Sequence, residues 1–271
     1  MVRSLWTAAS GMIAQQNNVD TISNNLANVN TNGYKTEVAE FKSLLYQDLR
    51  SKSTSANAET KPIPSQVGLG VRNSAITSIF TQGNFYDSTN DLAFALDGDG
   101  FFGVMGEDGN QYYTRNGNFV LSTFGTGLAL STTDGLRVLN QNGQPIVFDQ
   151  SYVAGKITVT SDGQICYPDA SNNPAPLGVS IGVWQFNNPS GLNKHDSSLY
   201  AESAASGAAM NEYTTNGLTR STLNQGYLEG SNVQVVDEMV NMIVAQRAYE
   251  LNSKAIQASD EMLSQANQLR R

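Results

Sequence analysis

Leu5, Ala8, Met12, Gln15, Val19, Ile22, Leu26 and Val29 follow one another at alternating spacings of three and four, which is a heptad stripe sustained over more than three heptads. The far end of the chain repeats the device: Val235, Met242, Tyr249, Ile256 and Leu263 recur every seven residues, with Met239, Ala245, Ala248, Ala255, Met262 and Leu269 beside them. Stripes of this kind are covered by another helix. At about 1.5 Å per residue the first helix reaches roughly 40 Å and the second, from about Val233 to Leu269, roughly 55 Å. Both exceed the ordinary globular helix of about eleven residues. The expected core domain is therefore residues 1–35 and 233–271, pairing in a coiled-coil-like way. An intramolecular helical hairpin capping a globular domain is the plainer alternative.

The polar side of the first helix bears on that choice. Between Met1 and Asn32 only Arg3 and Asp20 are charged, whereas Gln15, Gln16, Asn17, Asn18, Asn24, Asn25, Asn28, Asn30 and Asn32 crowd the same stretch. A helix whose back faces water favours Lys and Glu, which form helices well and pair at i,i+4. Amides suit a partly dry setting, since each donates and accepts hydrogen bonds without the desolvation cost of a buried charge. The helix reads as one with protein on most of its sides, and Gly33 as the left-handed residue that stops it.

Between the helices the period changes. TEVAEFKSLLYQDL, with Val38, Phe41, Leu44, Leu45 and Leu49 at helix-like spacing, reads as an amphipathic continuation. RSKSTSANAETKPIPSQVGLG is polar with Pro and Gly, and completes a connecting segment over 36–70. A β-rich outer domain is expected over 71–225. Its short runs, such as FALDGDGFFGVM, QYYTRNGNFVLS and KITVTSDGQICY, join β-branched or aromatic residues to Gly-containing turns. Residues 187–225 read as an irregular return and 226–232 as a linker. The fold class is α+β.

Composition removes several functions. A net charge of -8, without a concentrated basic face, argues against nucleic acid. No run of about eighteen apolar residues exists to insert directly in a membrane, and MVRSLWTAASGMIAQQ has no signal-peptide core. Cys166 is the single cysteine and reads as a buried inert thiol. Gly98-Asp-Gly100-Phe-Phe-Gly103 matches a dinucleotide-binding pattern but is followed by a strand and a turn where a helix N-terminus is needed. Asp97, Asp99, Glu107 and Asp108 lack the spacing of a calcium loop and read as turn residues. His195, the single histidine, sits in a polar loop beside Asp196 and reads as exposed. No catalytic residue, metal site or cofactor is expected.

Both ends carry a resemblance. SLWTAASGMIAQQNNVDTISNNLANVNTNGYK with the following FKSLLYQDL, and QGYLEGSNVQVVDEMVNMIVAQRAYELNSKAI, are similar to the two signatures of the bacterial flagellar rod and hook family of axial proteins. QDLRSKSTSANAETKPIPSQVGLG, residues 47–70, resembles the extra segment of the family's distal-rod branch, as does Ala245-Gln-Arg-Ala-Tyr-Glu250. Hook and proximal rod are the alternatives within the family. Outside it, the alternative is a soluble β-domain binding protein or cell-wall enzyme with a helical hairpin.

The resemblance implies a structural subunit, not an enzyme. Copies of it would stack as a homo-oligomeric helical tube, a hollow drive shaft crossing the periplasm, with the terminal helices inside and the β domain outside. Its implied partners are proximal rod and hook proteins at the two ends and the surrounding periplasmic and outer-membrane rings. The flagellar type III export apparatus would deliver it without a cleavable signal. The residues expected to pack between subunits are Leu5, Ala8, Met12, Val19, Ile22, Leu26, Val29, Val235, Met239, Met242, Tyr249, Ile256 and Leu263. Terminal helices of this kind are expected to fold on assembly.

Overall fold

Asn25 explains how the N-terminal helix is tied to the strand after it. In the structure, a computed structural model that describes residues 2–50, 65–125, 127–169, 173–195, 198–215 and 217–268, helix α1 (Val2–Ala27) ends two residues beyond Asn25. The Asn25 amide donates to Glu37 O at 2.8 Å and to Glu238 Oε2 at 3.3 Å, and its Oδ1 accepts from Glu37 N at 2.9 Å. By taking both backbone groups of Glu37, the side chain acts as a strand neighbour would, and strand β1 (Glu37–Ser43) begins there.

The helix therefore stops at Ala27, six residues before Gly33. Asn28 O accepts from Thr31 N at 3.1 Å and Asn28 Oδ1 from Thr31 Oγ1 at 3.1 Å, so short polar side chains compete with the helical ladder. Gly33 does adopt a left-handed φ of 68°. It serves a loop, where its N–H donates to Glu229 O at 2.8 Å. A Cβ there would lie 2.7 Å from the Arg115 carbonyl carbon.

The chain divides into two compact units. The first comprises Met1–Ala27, Glu37–Thr77 and Gln234–Arg271. It holds α1, helix α2 (Val235–Gln268), β1, and strands β2 (Tyr46–Arg50), β3 (Ser65–Gly68) and β4 (Val71–Ser78). Strand β1 pairs with β4, and β2 antiparallel with β3. The helical continuation expected over TEVAEFKSLLYQDL is thus replaced by two strands. Its Val38, Phe41 and Tyr46 suit an extended backbone, and the Asn25 grip on Glu37 together with the β4 partner decides the matter. Most of the expected connecting segment belongs to this helical unit; its residues 51–64 lie outside the described residues, as does Leu269.

The two helices run antiparallel. Ser4 Oγ lies 3.2 Å from Ser259 Oγ. A Cβ on Gly11 would sit 2.9 Å from Asn252 Nδ2, and Asn25 meets Glu238. Each step of seven or fourteen along α1 is matched by the same step back along α2. Glu238, Ala245 and Ser259 are the buried residues of α2. Asp237 and Glu238 occupy its first turn, where carboxylates complement the helix dipole.

The second unit, Asn28–Thr36 and Ser78–Val233, is the β-rich one. Among its described residues a ten-stranded sheet runs through Val147–Asp149, Gly127–Thr132, Arg137–Val138, Phe101–Met105, Gln111–Thr114, Leu199–Ala201 and Asn193–Lys194, with further strands pairing off this path. Phe94, Leu96, Phe102, Phe119, Leu130 and Ile181 centre its larger core. Phe101, Tyr113, Trp184 and Phe186 centre an aromatic second one. The expected 226–232 linker contains a strand, Tyr227–Glu229, paired with Phe85–Asp87, and residues 28–36 join this unit rather than the helices. Residues 187–225 are more regular than expected, containing strands at Leu199–Ala201, Met210–Asn211 and Thr222–Gln225.

Asn25→Asp removes both donated bonds and sets a second carboxylate against Glu238. A loss of about 3 kcal/mol from the helical unit is expected, read by circular dichroism during urea unfolding of the full chain. An unchanged midpoint would contradict the role given to this amide.

Candidate assembly surface

Of the residues expected to pack between chains, Ala8 and Ile22 are buried, and Leu5, Met12, Val19, Leu26, Met242, Ile256 and Leu263 are half-buried. Val235, Met239 and Tyr249 are exposed. Val29 is half-buried within the β-rich unit. Ser4, Gly11 and Asn25, each one residue before Leu5, Met12 and Leu26 of the expected stripe, make close approaches to α2. Small and polar groups thus share the seam with the buried Ala8, Ala14 and Ile22.

Large apolar side chains also lie in the open. Trp6 is 72% exposed, Ile13 63%, Val236 74%, Val244 62% and Leu251 66%, and Val240, Ile243 and Met262 are also exposed. None of these was among the residues expected to pack between chains. The run VVDEMVNMIV did carry the signal, because its apolar residues exceed one helical stripe. The exposed apolar residues lie on both helices of the first unit.

The Asn-rich stretch is used inside the chain. Besides Asn25 and Asn28, Asn32 accepts a hydrogen bond from Tyr86 Oη. The C-terminal signature answers it: Asn232 Oδ1 accepts from Thr36 N and Thr36 Oγ1, both at 2.7 Å, while its Nδ2 donates to Ile79 O at 2.9 Å and Thr81 Oγ1 at 2.8 Å. The protein around Asn25, Asn28 and Asn32 is therefore, at these bonds, the chain itself.

At the base of this loop sits an ion cluster that no sequence motif announces. Lys35 Nζ donates to Glu229 Oε1 at 2.6 Å and to Thr81 O at 2.7 Å. Arg115 Nη1 lies 3.3 Å from Glu229 Oε2, and Arg115 Nη2 donates to Gly98 O at 2.7 Å. Glu229 Oε1 also accepts from Gly83 N at 3.0 Å, and the Arg115 guanidinium stands 5.1 Å from the Phe101 ring centroid. Lys35 and Glu229 are 1% exposed and Arg115 2%. Burial holds the Lys35 ammonium below its usual range, against the opposing pull of Glu229. Burial likewise pushes the neighbouring Tyr200 hydroxyl up to about 12. One carboxylate thus serves two cations, from both ends of the chain and the middle of the sheet.

Elsewhere the chemical candidates are structural. Cys166 is buried. The Gly98 and Gly100 positions are where Ser221 and Val183 crowd the backbone. The exposed His195 stacks on Tyr112 at 5.0 Å. Among the described residues, no three His, Cys, Asp or Glu side chains converge to hold a metal. No helix among the described residues is long and apolar enough to cross a membrane.

Three family models match the chain: "Flagella basal body rod protein" over residues 5–35, "Flagellar hook protein FlgE/F/G D1 domain" over 95–167, and "Flagellar basal body rod FlgEFG protein C-terminal" over 224–269. The flagellar basal-body rod protein FlgG of Borreliella burgdorferi is 46% identical, covering 100% of both chains. The chain belongs to the FlgG family of flagellar basal-body rod proteins, structural subunits of the distal rod. Bacillus subtilis offers a comparison within one organism. Its FlgG is 38% identical over 100% of both chains, and its flagellar hook-basal body complex protein FlhP 32%, also over 100% of both. All three matched regions contain anchoring groups: Asn25, Gly33 and Lys35 in the first, Arg115 in the second, and Glu229, Asn232 and Glu238 in the last.

Glu229→Gln leaves two buried cations against a neutral amide and is expected to cost about 3–5 kcal/mol. Lys35→Met leaves Arg115 and Glu229 paired and is expected to cost less than about 1.5 kcal/mol. Because Lys35 binds its proton more weakly folded than unfolded, its contribution is smallest below the folded pKa and grows as pH rises towards 10.5. The wild-type chain should therefore gain on Lys35→Met across that alkaline window. Urea unfolding followed by tryptophan fluorescence reads all three, and equal costs for the two substitutions would contradict the one-carboxylate account.

Proposed function

We propose that this chain is a subunit of the distal rod, whose helix pairs line a hollow tube and whose β-rich units face outward. The observation that carries the reading is the exposed apolar surface of α1 and α2, on a chain whose full-length relatives are named rod proteins. A lone hairpin would turn these side chains inward. Here they are kept for neighbouring copies, and each such residue, once buried, contributes about 1.5–3 kcal/mol.

The internal seam is read as coiled-coil-like, from its seven-residue recurrence and antiparallel course. The chain's role is mechanical and non-catalytic: it transmits motor torque to the hook and encloses part of the export path. Its proposed partners are further copies of itself, proximal rod and hook proteins at the two ends, and the surrounding rings, with delivery by the type III apparatus. Its proposed place is the basal body within the periplasm. The ribbon of β2 and β3, whose Tyr46 is 64% exposed, with the segment it bounds, is proposed to brace adjacent subunits.

Val244→Asp places a charge in the exposed apolar surface and touches none of the seam groups. A loss of about 2 kcal/mol per contact is expected to raise the critical concentration for assembly at least tenfold, with unchanged near-ultraviolet dichroism from the Trp184 core. Sedimentation measures the first, and wild-type assembly by the variant would contradict the proposal.

A further inference from the structure

Resting on the assembly reading, we infer which parts of two copies meet: the N-terminal turns of α1, led by Trp6, dock in the groove between α1 and α2 of the next copy. The groove has a volume of about 390 Å³ and is lined by Gln16, Val19, Gln246, Tyr249 and Glu250. Val19 and Tyr249 contribute apolar side chains to it, and Gln16, Gln246 and Glu250 polar ones. That suits a bulky aromatic ring with one N–H to satisfy. Trp6, 72% exposed, is the most open aromatic side chain of the described helices.

Charge points to the same occupant. Arg3 precedes Trp6 by three positions and so shares its helix face. The groove carries Glu250, half-exposed and within 2.8 Å of Arg247, and Asp20 follows Gln16 by four positions, on that residue's face. Arg3 and Asp20 are the only charges between Met1 and Asn32. A tip carrying Arg3 and Trp6 thus complements a groove whose Tyr249 and Glu250, the latter shared with Arg247, offer an aromatic ring and a carboxylate.

Tip and groove lie at different heights on the same helix pair. Trp6 and the midpoint of Gln16 and Val19 are about eleven residues apart, or roughly 17 Å along the axis. Between parallel copies a contact between such different patches is head-to-tail and propagates, whereas antiparallel copies would exchange it reciprocally and close into a two-fold dimer. The predicted axial offset between contacting copies is of that order.

The test uses two full-length chains in a Cys166→Ser background, one with Trp6→Cys and one with Gln246→Cys, mixed, assembled and oxidised. A cross-linked dimer that needs both chains is expected, because neither chain can form this pair alone. Trp6→Ala is expected to raise the critical concentration at least tenfold while leaving helix content unchanged, since Trp6 is 72% exposed in its own chain. Sedimenting assemblies with no mixed cross-link and full tolerance of Trp6→Ala would overturn this docking and leave the assembly reading intact. A chain that never sediments at any concentration would remove both.

Discussion

The helix pair places small and polar residues where its two members touch. Ser4 against Ser259, Gly11 beside Asn252 and Asn25 against Glu238 allow close approach and fix register through hydrogen bonds, but they withdraw little apolar area from water. Hydrophobic burial is the dominant driving force for folding and for most protein association. A pairing that leaves Val236, Val240, Val244 and Leu251 open is thus poorly stabilised alone and strongly stabilised by neighbours. In the proposed assembly, register comes from the polar seam and stability from neighbouring copies.

The β-rich unit follows the opposite rule. Its aromatic and aliphatic cores are fully enclosed, and its N-terminal excursion, Asn28–Thr36, is fixed by polar groups of high directionality. Lys35, Arg115 and Glu229 form a cluster whose desolvation is costly and whose net contribution to stability is small compared with packing. What it supplies is position. Only one arrangement satisfies one carboxylate with two cations and a backbone N–H, and Gly33 is set by its contact with the Arg115 backbone. The signatures at the two ends of the chain thereby become one structural feature: residues 33–36 and 229–232 bond to one another.

Much of this was legible. The heptad stripes gave both helices because a seven-residue repeat has few other uses, and alternating β-branched and aromatic runs between glycine turns gave the central sheet. The family followed from the two end signatures. What could not be read was which face of each stripe turns inward, since Leu5 and Ser4 sit one residue apart and only the partner decides between them. The strands at Glu37–Ser43 and Tyr46–Arg50 were hidden because Val38, Phe41, Leu44 and Leu45 satisfy a helical period too; the deciding contact, Asn25 to Glu37, is tertiary. The ion cluster joins residues 35, 115 and 229, a separation at which sequence offers no signal. Asparagine abundance does not say where each amide bonds: Asn25, Asn28 and Asn32 fasten this chain to itself.

The central claim is that the helix pair depends on neighbours for its stability while the β-rich unit does not. Hydrogen exchange read by mass spectrometry on the dilute full chain, and again on its assembled form, tests this most directly. The account predicts rapid exchange over residues 2–27 and 235–268 in the dilute chain, slowed many-fold on assembly, with Phe94–Gln185 protected in both. Helices as protected as the sheet in the dilute chain would contradict it, because the seam would then suffice without partners.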